Sequence, residues 1–137
     1  MKPFEIISEA EEYRDRDRFA VIRATLRTPG GDEVGWTYTR QGDGVVVLAP
    51  DGEGNIWVKR EWRLNKKDFL WELPSGYVDM EEPTDEVVLE AANRELQEEV
   101  GMKGSSLRVL RTYYSSNHST NRWHVVLATD LIPSKLP

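Results

Sequence analysis

Three glutamates in the second half of the chain, Glu95, Glu98 and Glu99, have the residue type and the spacing of a cation-binding site. At positions i, i+3 and i+4 they share one arc of a helix, where like charges destabilise it by about 0.2–0.5 kcal/mol per pair. Residues 79–99 contain nine acidic residues and a single basic one, Arg94. A hard divalent cation such as Mg²⁺ would offset this field through carboxylate oxygen ligands. A solvated acidic face is the alternative explanation of the same pattern.

The element that must position these glutamates is a helix with recognisable ends. Thr84 is a suitable N-cap, acidic residues follow in the first turn, and Gly101 stands where a left-handed residue commonly ends a helix. At about 100° per residue, four apolar side chains fall on one arc and are predicted to face the core: Leu89, Ala92, Leu96 and Val100. The glutamates are therefore expected at the rim of the buried face.

The rest of the sequence is mostly β-like. Residues 9–18 are a mixed-charge run, which we interpret as a solvated helix or connector. Tight-turn signals at PGGD and PDGEGN predict two hairpins, and a polar loop joins two further strands. The predicted strands are residues 19–28 with 34–40, 45–49 with 55–60, and 107–114 with 122–129.

Bulk properties restrict the class of protein. The 137 residues suggest one domain, and a net charge of -6 argues against a partner that is nucleic acid or an anionic membrane. With no cysteine, the chain has no disulfide, thiol nucleophile or cysteine-based zinc site. It begins without a signal-peptide pattern and contains no apolar run that would span a bilayer, so we expect a cytoplasmic protein without membrane contact.

The acidic helix and the turn before it resemble the Nudix box, G-x5-E-x7-R-E-U-x-E-E-x-G-U, where U is an apolar residue. Glu86, seven further residues and the run RELQEEVGM at 94–102 fit its second half. Nine residues rather than five separate Gly76 from Glu86, which we interpret as a four-residue insertion before the helix.

The resemblance extends to the ADP-ribose and nucleotide-sugar pyrophosphatase branch of that family. EWR at 61–63 is similar to the Q-Y-R-like triplet of the branch, and ELPSG at 72–76 is similar to its E-L-P-A-G turn. Asn117 stands where the branch usually has a proline, so the wider class of nucleoside diphosphate derivatives is a safer expectation than ADP-ribose itself.

The family pattern implies a role for each matching residue. It implies Mg²⁺, with Mn²⁺ as the alternative, bound by the three glutamates and the carbonyl of Ser75. Arg94 would belong to the catalytic machinery as a structural residue that holds the loop through Glu86 or Glu90. Substrate would contact Arg63, Glu72 and Trp62. The chain ends soon after the strand that precedes the usual general base, so either it is truncated or Glu98 or another acid is the base.

The resemblance also implies a fold and a function. The expected fold is of the α+β class, a Nudix-type α/β/α sandwich with a mixed sheet, an N-terminal antiparallel β region and no C-terminal helix. Residues 1–42 would form a dimerising β region and residues 43–137 the hydrolase domain, giving a homodimer. The expected activity is metal-dependent hydrolysis of a nucleoside diphosphate linked to another moiety. The alternatives are a nucleoside triphosphate or dinucleoside polyphosphate hydrolase, and a non-catalytic nucleotide-binding module.

Overall fold

The computed structural model describes residues 3–16 and 18–136, which form nine strands and one helix. In chain order they are β1 (Glu5–Asp15), β2 (Phe19–Arg27), β3 (Glu33–Gln41), β4 (Gly44–Leu48), β5 (Lys59–Arg63), β6 (Asp68–Glu72), β7 (Ser75–Tyr77), α1 (Asp85–Val100), β8 (Met102–Tyr114) and β9 (Arg122–Pro133). The chain divides into two compact units. One comprises Met1–Gly42 with Tyr114–Asn121, and the other comprises Asp43–Tyr113 with Arg122–Pro137.

The first unit contains an antiparallel sheet in the order β1-β2-β3. The predicted hairpin at PGGD is confirmed: β2 and β3 pair from Phe19 opposite Gln41 to Arg27 opposite Glu33, and Gly31 supplies a positive φ of 97° in the turn. The prediction of a helix or connector for residues 9–18 is wrong, because most of that run belongs to β1. Its polar side chains are exposed while its backbone pairs with β2, so long-range pairing overrides the local pattern.

The second unit is built on a four-stranded mixed sheet in the order β7-β4-β9-β8. Strand β4 runs parallel to β9 and antiparallel to β7. The predicted pairing of residues 45–49 with residues 55–60 as two strands is wrong. Pairing is limited to the start of the turn, where Pro50 and Ile56 form an isolated bridge and the Trp57 N–H donates to the Ala49 carbonyl at 3.0 Å. Both edges of β4 are already hydrogen-bonded to β7 and β9, so β5 pairs with β6 in a separate two-stranded sheet.

Helix α1 has the predicted ends. The Thr84 side chain accepts a hydrogen bond from the Val87 N–H, and Gly101 is left-handed with φ 69° and ψ 25°. Of the four residues predicted to face the core, Ala92 and Leu96 are buried, whereas Leu89 and Val100 are partly buried against the core. The buried arc is centred closer to Val88 and Ala91, which pack with the valines of β4.

These elements confirm the α+β class, the mixed sheet and the N-terminal antiparallel β region. Within the described residues, α1 is the single helix, and no helix there is long and apolar enough to cross a membrane.

Candidate active site

The carboxylate of Glu99 is held at the end of α1 by groups from two other elements. Its Oε2 accepts a hydrogen bond of 2.9 Å from the backbone N–H of Ser75, at the start of β7. Its Oε1 contacts the Nζ of Lys59, the first residue of β5. The Glu99 side chain is 20% exposed, so the carboxylate lies in a partly desolvated position where charges interact strongly.

Glu95 lies one turn earlier on α1 and packs against Gly76, the residue after Ser75 in β7. A Cβ atom at Gly76 would overlap the Glu95 carboxylate, so a larger residue there would displace it. Burial raises the pKa of Glu95; the nearby Arg94 opposes this, and the charges of Glu98 and Glu99 add to it. Two of the three predicted metal ligands thus converge on residues 75 and 76.

Arg94 joins the helix to the loop that precedes it. Its Nη2 donates to the carbonyl of Tyr77 at 2.9 Å and lies 3.1 Å from a Glu95 oxygen, while its Nη1 lies 3.5 Å from Asp79. The prediction that Arg94 pairs with Glu86 or Glu90 is therefore wrong. The extra residues of the motif fall between β7 and α1. Arg94 binds the backbone of Tyr77 at the end of β7 and the side chain of Asp79 in that loop.

The helical carboxylates suit a hard divalent cation by chemistry and by convergence. Glu95 and Glu99 present oxygen ligands beside Gly76 and Ser75 of β7, and Glu98 is exposed on the same helical segment. Within residues 3–16 and 18–136, no group of three acidic or histidine side chains is already arranged to hold a metal ion. The contacts explain this: Lys59 engages Glu99, and Arg94 engages Glu95.

The predicted substrate residues Arg63 and Glu72 lie together on the β5–β6 hairpin. Arg63 donates through Nε to Glu72 at 2.9 Å, contacts it again through Nη2, and lies 3.2 Å from Glu61. The hydrogen bond from Arg63 lowers the pKa of Glu72. Because side chains alternate along a strand, Lys59, Glu61 and Arg63 share one face of β5.

Lys59 and Glu61 are site residues that the sequence-based reasoning missed. The available signal was the spacing K-x-E-x-R in KREWR, which places both on the same strand face as Arg63. Lys59 bridges Glu61 and Glu99, so it connects the hairpin to the helical carboxylates.

An open cleft of about 1070 Å³ lies beside this cluster. Arg63, Glu72 and Ser75 line it together with three aromatic side chains, Trp62, Tyr113 and Trp123. The predicted substrate residues and the predicted backbone ligand therefore border one space. Its walls combine a guanidinium with aromatic faces, which suit a phosphate and a planar base respectively.

A second charged group in the same unit, around Asp43, is enclosed. The Asp43 carboxylate accepts hydrogen bonds from the Arg122 backbone N–H, Nε and Nη2 at 2.8–3.0 Å and contacts His124 Nε2 at 2.9 Å. The His124 Nδ1 lies 2.8 Å from the Thr112 hydroxyl. In the first unit, the other histidine, His118, stacks on Trp36 with ring centroids 4.8 Å apart.

Comparison with known proteins places this geometry in a family. The sequence model of the NUDIX domain matches residues 39–136. The chain is 36% identical over 107 residues to an ADP-ribose pyrophosphatase of Mycobacterium tuberculosis, covering 78% of this chain and 50% of that protein. It is 29% identical over 92 residues to the ADP compounds hydrolase NudE of Escherichia coli, covering 66% of this chain and 47% of that protein. The chain thus spans about half the length of these relatives.

A solved structure agrees with the fold. A crystal structure of an ADP compounds hydrolase superimposes with a TM-score of 0.85 at 24% identity, covering 99% of this chain and 72% of that one. The sequence match spans most of the chain and includes the helix with Glu95 and Glu99 and the cleft with Arg63. The chain belongs to the Nudix family.

Proposed function

We propose that the protein is a Nudix pyrophosphatase that hydrolyses the diphosphate of a nucleoside diphosphate linked to another moiety, such as ADP-ribose or a nucleotide sugar. The observation that carries this proposal is the convergence of Glu95 and Glu99 on residues 75 and 76, beside an aromatic cleft that contains Arg63. The relatives named for ADP-ribose and ADP compounds support the same substrate class.

The metal in this proposal is Mg²⁺, with Mn²⁺ as the alternative. Glu95, Glu99 and the carbonyl of Ser75 would hold it, with Glu98 as a further or water-bridged ligand. Bound there, a divalent cation supplies charge neutralisation of the diphosphate and a lowered pKa of a bound water. Ser75 fits this role because its N–H already holds Glu99, and the N–H and C=O of one residue in a strand point to the same edge.

The protein groups then divide the remaining work. Arg63 binds the diphosphate through its guanidinium, for which it exchanges part of its pairing with Glu72. Trp62 borders the cleft and offers a face to the base. Arg94 positions Glu95 and the Tyr77 carbonyl, and the exposed Glu98 serves as the proton acceptor.

A hydrolysis screen over ADP-ribose, nucleotide sugars, dinucleoside polyphosphates and nucleoside triphosphates, with Mg²⁺ or Mn²⁺, tests the proposal. Glu99→Gln keeps the shape but removes a charged ligand, so kcat/KM should fall on the order of 100-fold or more, since even outer-shell changes cost about 10–100-fold. Glu98→Gln should lower the rate with a smaller effect on metal affinity.

Other outcomes assign the protein differently. Preference for nucleoside triphosphates or dinucleoside polyphosphates would assign the protein to that substrate class instead. Nucleotide binding without turnover would favour a non-catalytic module. Full metal-dependent activity in both glutamine variants would refute the ligand assignment.

We also propose that residues 1–42 dimerise and that residues 43–137 form the hydrolase domain. Every residue of β1 is exposed, and Ile6, Ile7 and Tyr13 are apolar or aromatic side chains among them. Such a strand at the edge of a sheet is a template for pairing with a second copy. Sedimentation at micromolar concentration should show a dimer that Ile6→Lys dissociates, whereas a wild-type monomer would contradict the proposal.

A further inference from the structure

Lys59 is an ammonium group enclosed between carboxylates of two different elements. Its side chain is 11% exposed, and its Nζ lies 2.6 Å from Glu61 Oε2 while also contacting Glu99 Oε1. The carboxylates of Glu61 and Glu99 on either side favour the charged ammonium over the neutral amine, so Lys59 is a positive charge held between two negative ones.

Both oxygens of Glu99 are already engaged by donors. The Ser75 N–H holds Oε2 and the Lys59 ammonium holds Oε1. The backbone donor is neutral, so it leaves the carboxylate charge available to a cation. The ammonium takes that charge, and a divalent ion at the same oxygen would meet a like charge at close range.

We propose that Lys59 is an internal counter-ion that occupies the cation position on Glu99 and is displaced when a divalent metal binds, so that it lowers and sets the metal affinity. The inference rests on the proposed function, because it takes Glu99 as a metal ligand. Glu61 lies on the same strand face and retains the ammonium after its release from Glu99. The flexible four-carbon stem of lysine permits this movement without a change in the backbone of β5.

The experiment measures metal binding without substrate, using Mg²⁺ and Mn²⁺ in calorimetric titrations. Lys59→Met keeps the length of the side chain and removes its charge. We expect metal to bind about tenfold or more tightly to this variant, the factor that corresponds to one charge-assisted hydrogen bond. The melting temperature of metal-free Lys59→Met should be lower than that of metal-free wild type. Added metal should raise the melting temperature of the variant by more than it raises that of wild type.

Arg63→Met is the matched control. It removes a positive charge from the same strand face and also leaves a carboxylate unpaired, but Arg63 makes no hydrogen bond or ion pair to Glu99 among the described contacts. A direct counter-ion role requires the gain in affinity in Lys59→Met to exceed that in Arg63→Met clearly. Equal gains would mean a general field effect and would overturn the proposal.

The remaining outcomes are also decisive. An affinity in Lys59→Met that is unchanged or weaker than wild type would overturn the counter-ion role. If that variant fails to fold, Lys59→Gln, which keeps a neutral donor, is judged by the same criteria. Glu99→Gln separates the two proposals: if it binds metal as tightly as wild type, the metal site itself is wrong, whatever Lys59 does.

Discussion

Two charged clusters in the same compact unit differ in how their donors are distributed over the carboxylates. Around Asp43, one carboxylate receives four hydrogen bonds from Arg122 and His124. On β5 and α1, the single ammonium of Lys59 is shared between the carboxylates of Glu61 and Glu99. In the first cluster several donors converge on one carboxylate, three of them on the same oxygen. In the second, one ammonium bridges two carboxylates, each of which also has another partner: Ser75 for Glu99 and Arg63 for Glu61.

The difference separates a structural ion network from one that can exchange its cation. A buried carboxylate that holds several donors fixes the positions of its neighbours, and removing it takes a charged partner from them. A flexible ammonium shared between two carboxylates can leave one of them to a competing cation while it stays paired with the other. Acidic residues alone therefore do not identify a binding site; whether their cationic partner can move away does.

The largest effect on stability should come from Asp43→Asn, which breaks the cluster around Asp43. Loss of the charge removes a carboxylate that pairs with Arg122 and contacts the buried His124, and we expect the free energy of unfolding to fall by about 3–5 kcal/mol. Urea denaturation monitored by tryptophan fluorescence measures this. Asp68→Asn, at an exposed carboxylate, should change stability by only about 0.5 kcal/mol. Similar values for the two variants would mean that the Asp43 network is not structural.

The pH dependence of the free energy of unfolding, measured for wild type and for Asp43→Asn, tests the same network. Burial favours a raised pKa for Asp43, but the hydrogen bonds from His124 and Arg122 outweigh it and lower the pKa below 3.8. A carboxyl group whose pKa is lower in the folded than in the unfolded state stabilises the fold at pH values above its unfolded-state pKa. This stabilisation is lost as the pH falls through the folded-state pKa. The difference in the free energy of unfolding between wild type and Asp43→Asn should therefore stay constant above pH 3.8 and shrink below it.

A smaller effect on stability is expected from Gly76→Ala, beside the helical carboxylates. The added Cβ displaces only the end of the flexible Glu95 side chain without changing any charge, so we expect a cost near the lower end of the usual overpacking range, about 1 kcal/mol. Metal affinity should fall together with activity if Glu95 is a ligand. Gly30→Ala is the matched control, since its Cβ would meet only the Thr28 hydroxyl at 3.6 Å. Unchanged metal affinity in Gly76→Ala would remove Glu95 from the ligand set.

Features decided by nearby residues could be predicted from the sequence. Helix α1 was predicted with its caps because Thr84 and Gly101 act on backbone groups within one turn. The hairpin of β2 and β3 was predicted for the same reason, since its turn chemistry is local. Four residues that the sequence motifs single out line one cleft: Trp62, Arg63, Glu72 and Ser75.

Features decided by distant pairing could not be predicted in this way. Lys59 meets Glu99 across 40 positions, and Asp43 meets His124 across 81. Neither separation has a local signature, because each depends on where β5 and β9 lie after folding. The wrong pairing for β4 has the same origin: PDGEGN reverses the chain as its turn signal predicts, but β7 and β9 hydrogen-bond to the two edges of β4.

The separate two-stranded sheet of β5 and β6 has a consequence for local unfolding. An isolated hairpin is marginally stable, and opening it breaks no hydrogen bond of the ladders in the four-stranded sheet. Hydrogen exchange commonly reports such elements as one cooperative opening unit. Lys59 and Arg63 would then leave the site together in one local unfolding event. The ion pairs to Glu99 and within the hairpin contribute to the free energy of that opening.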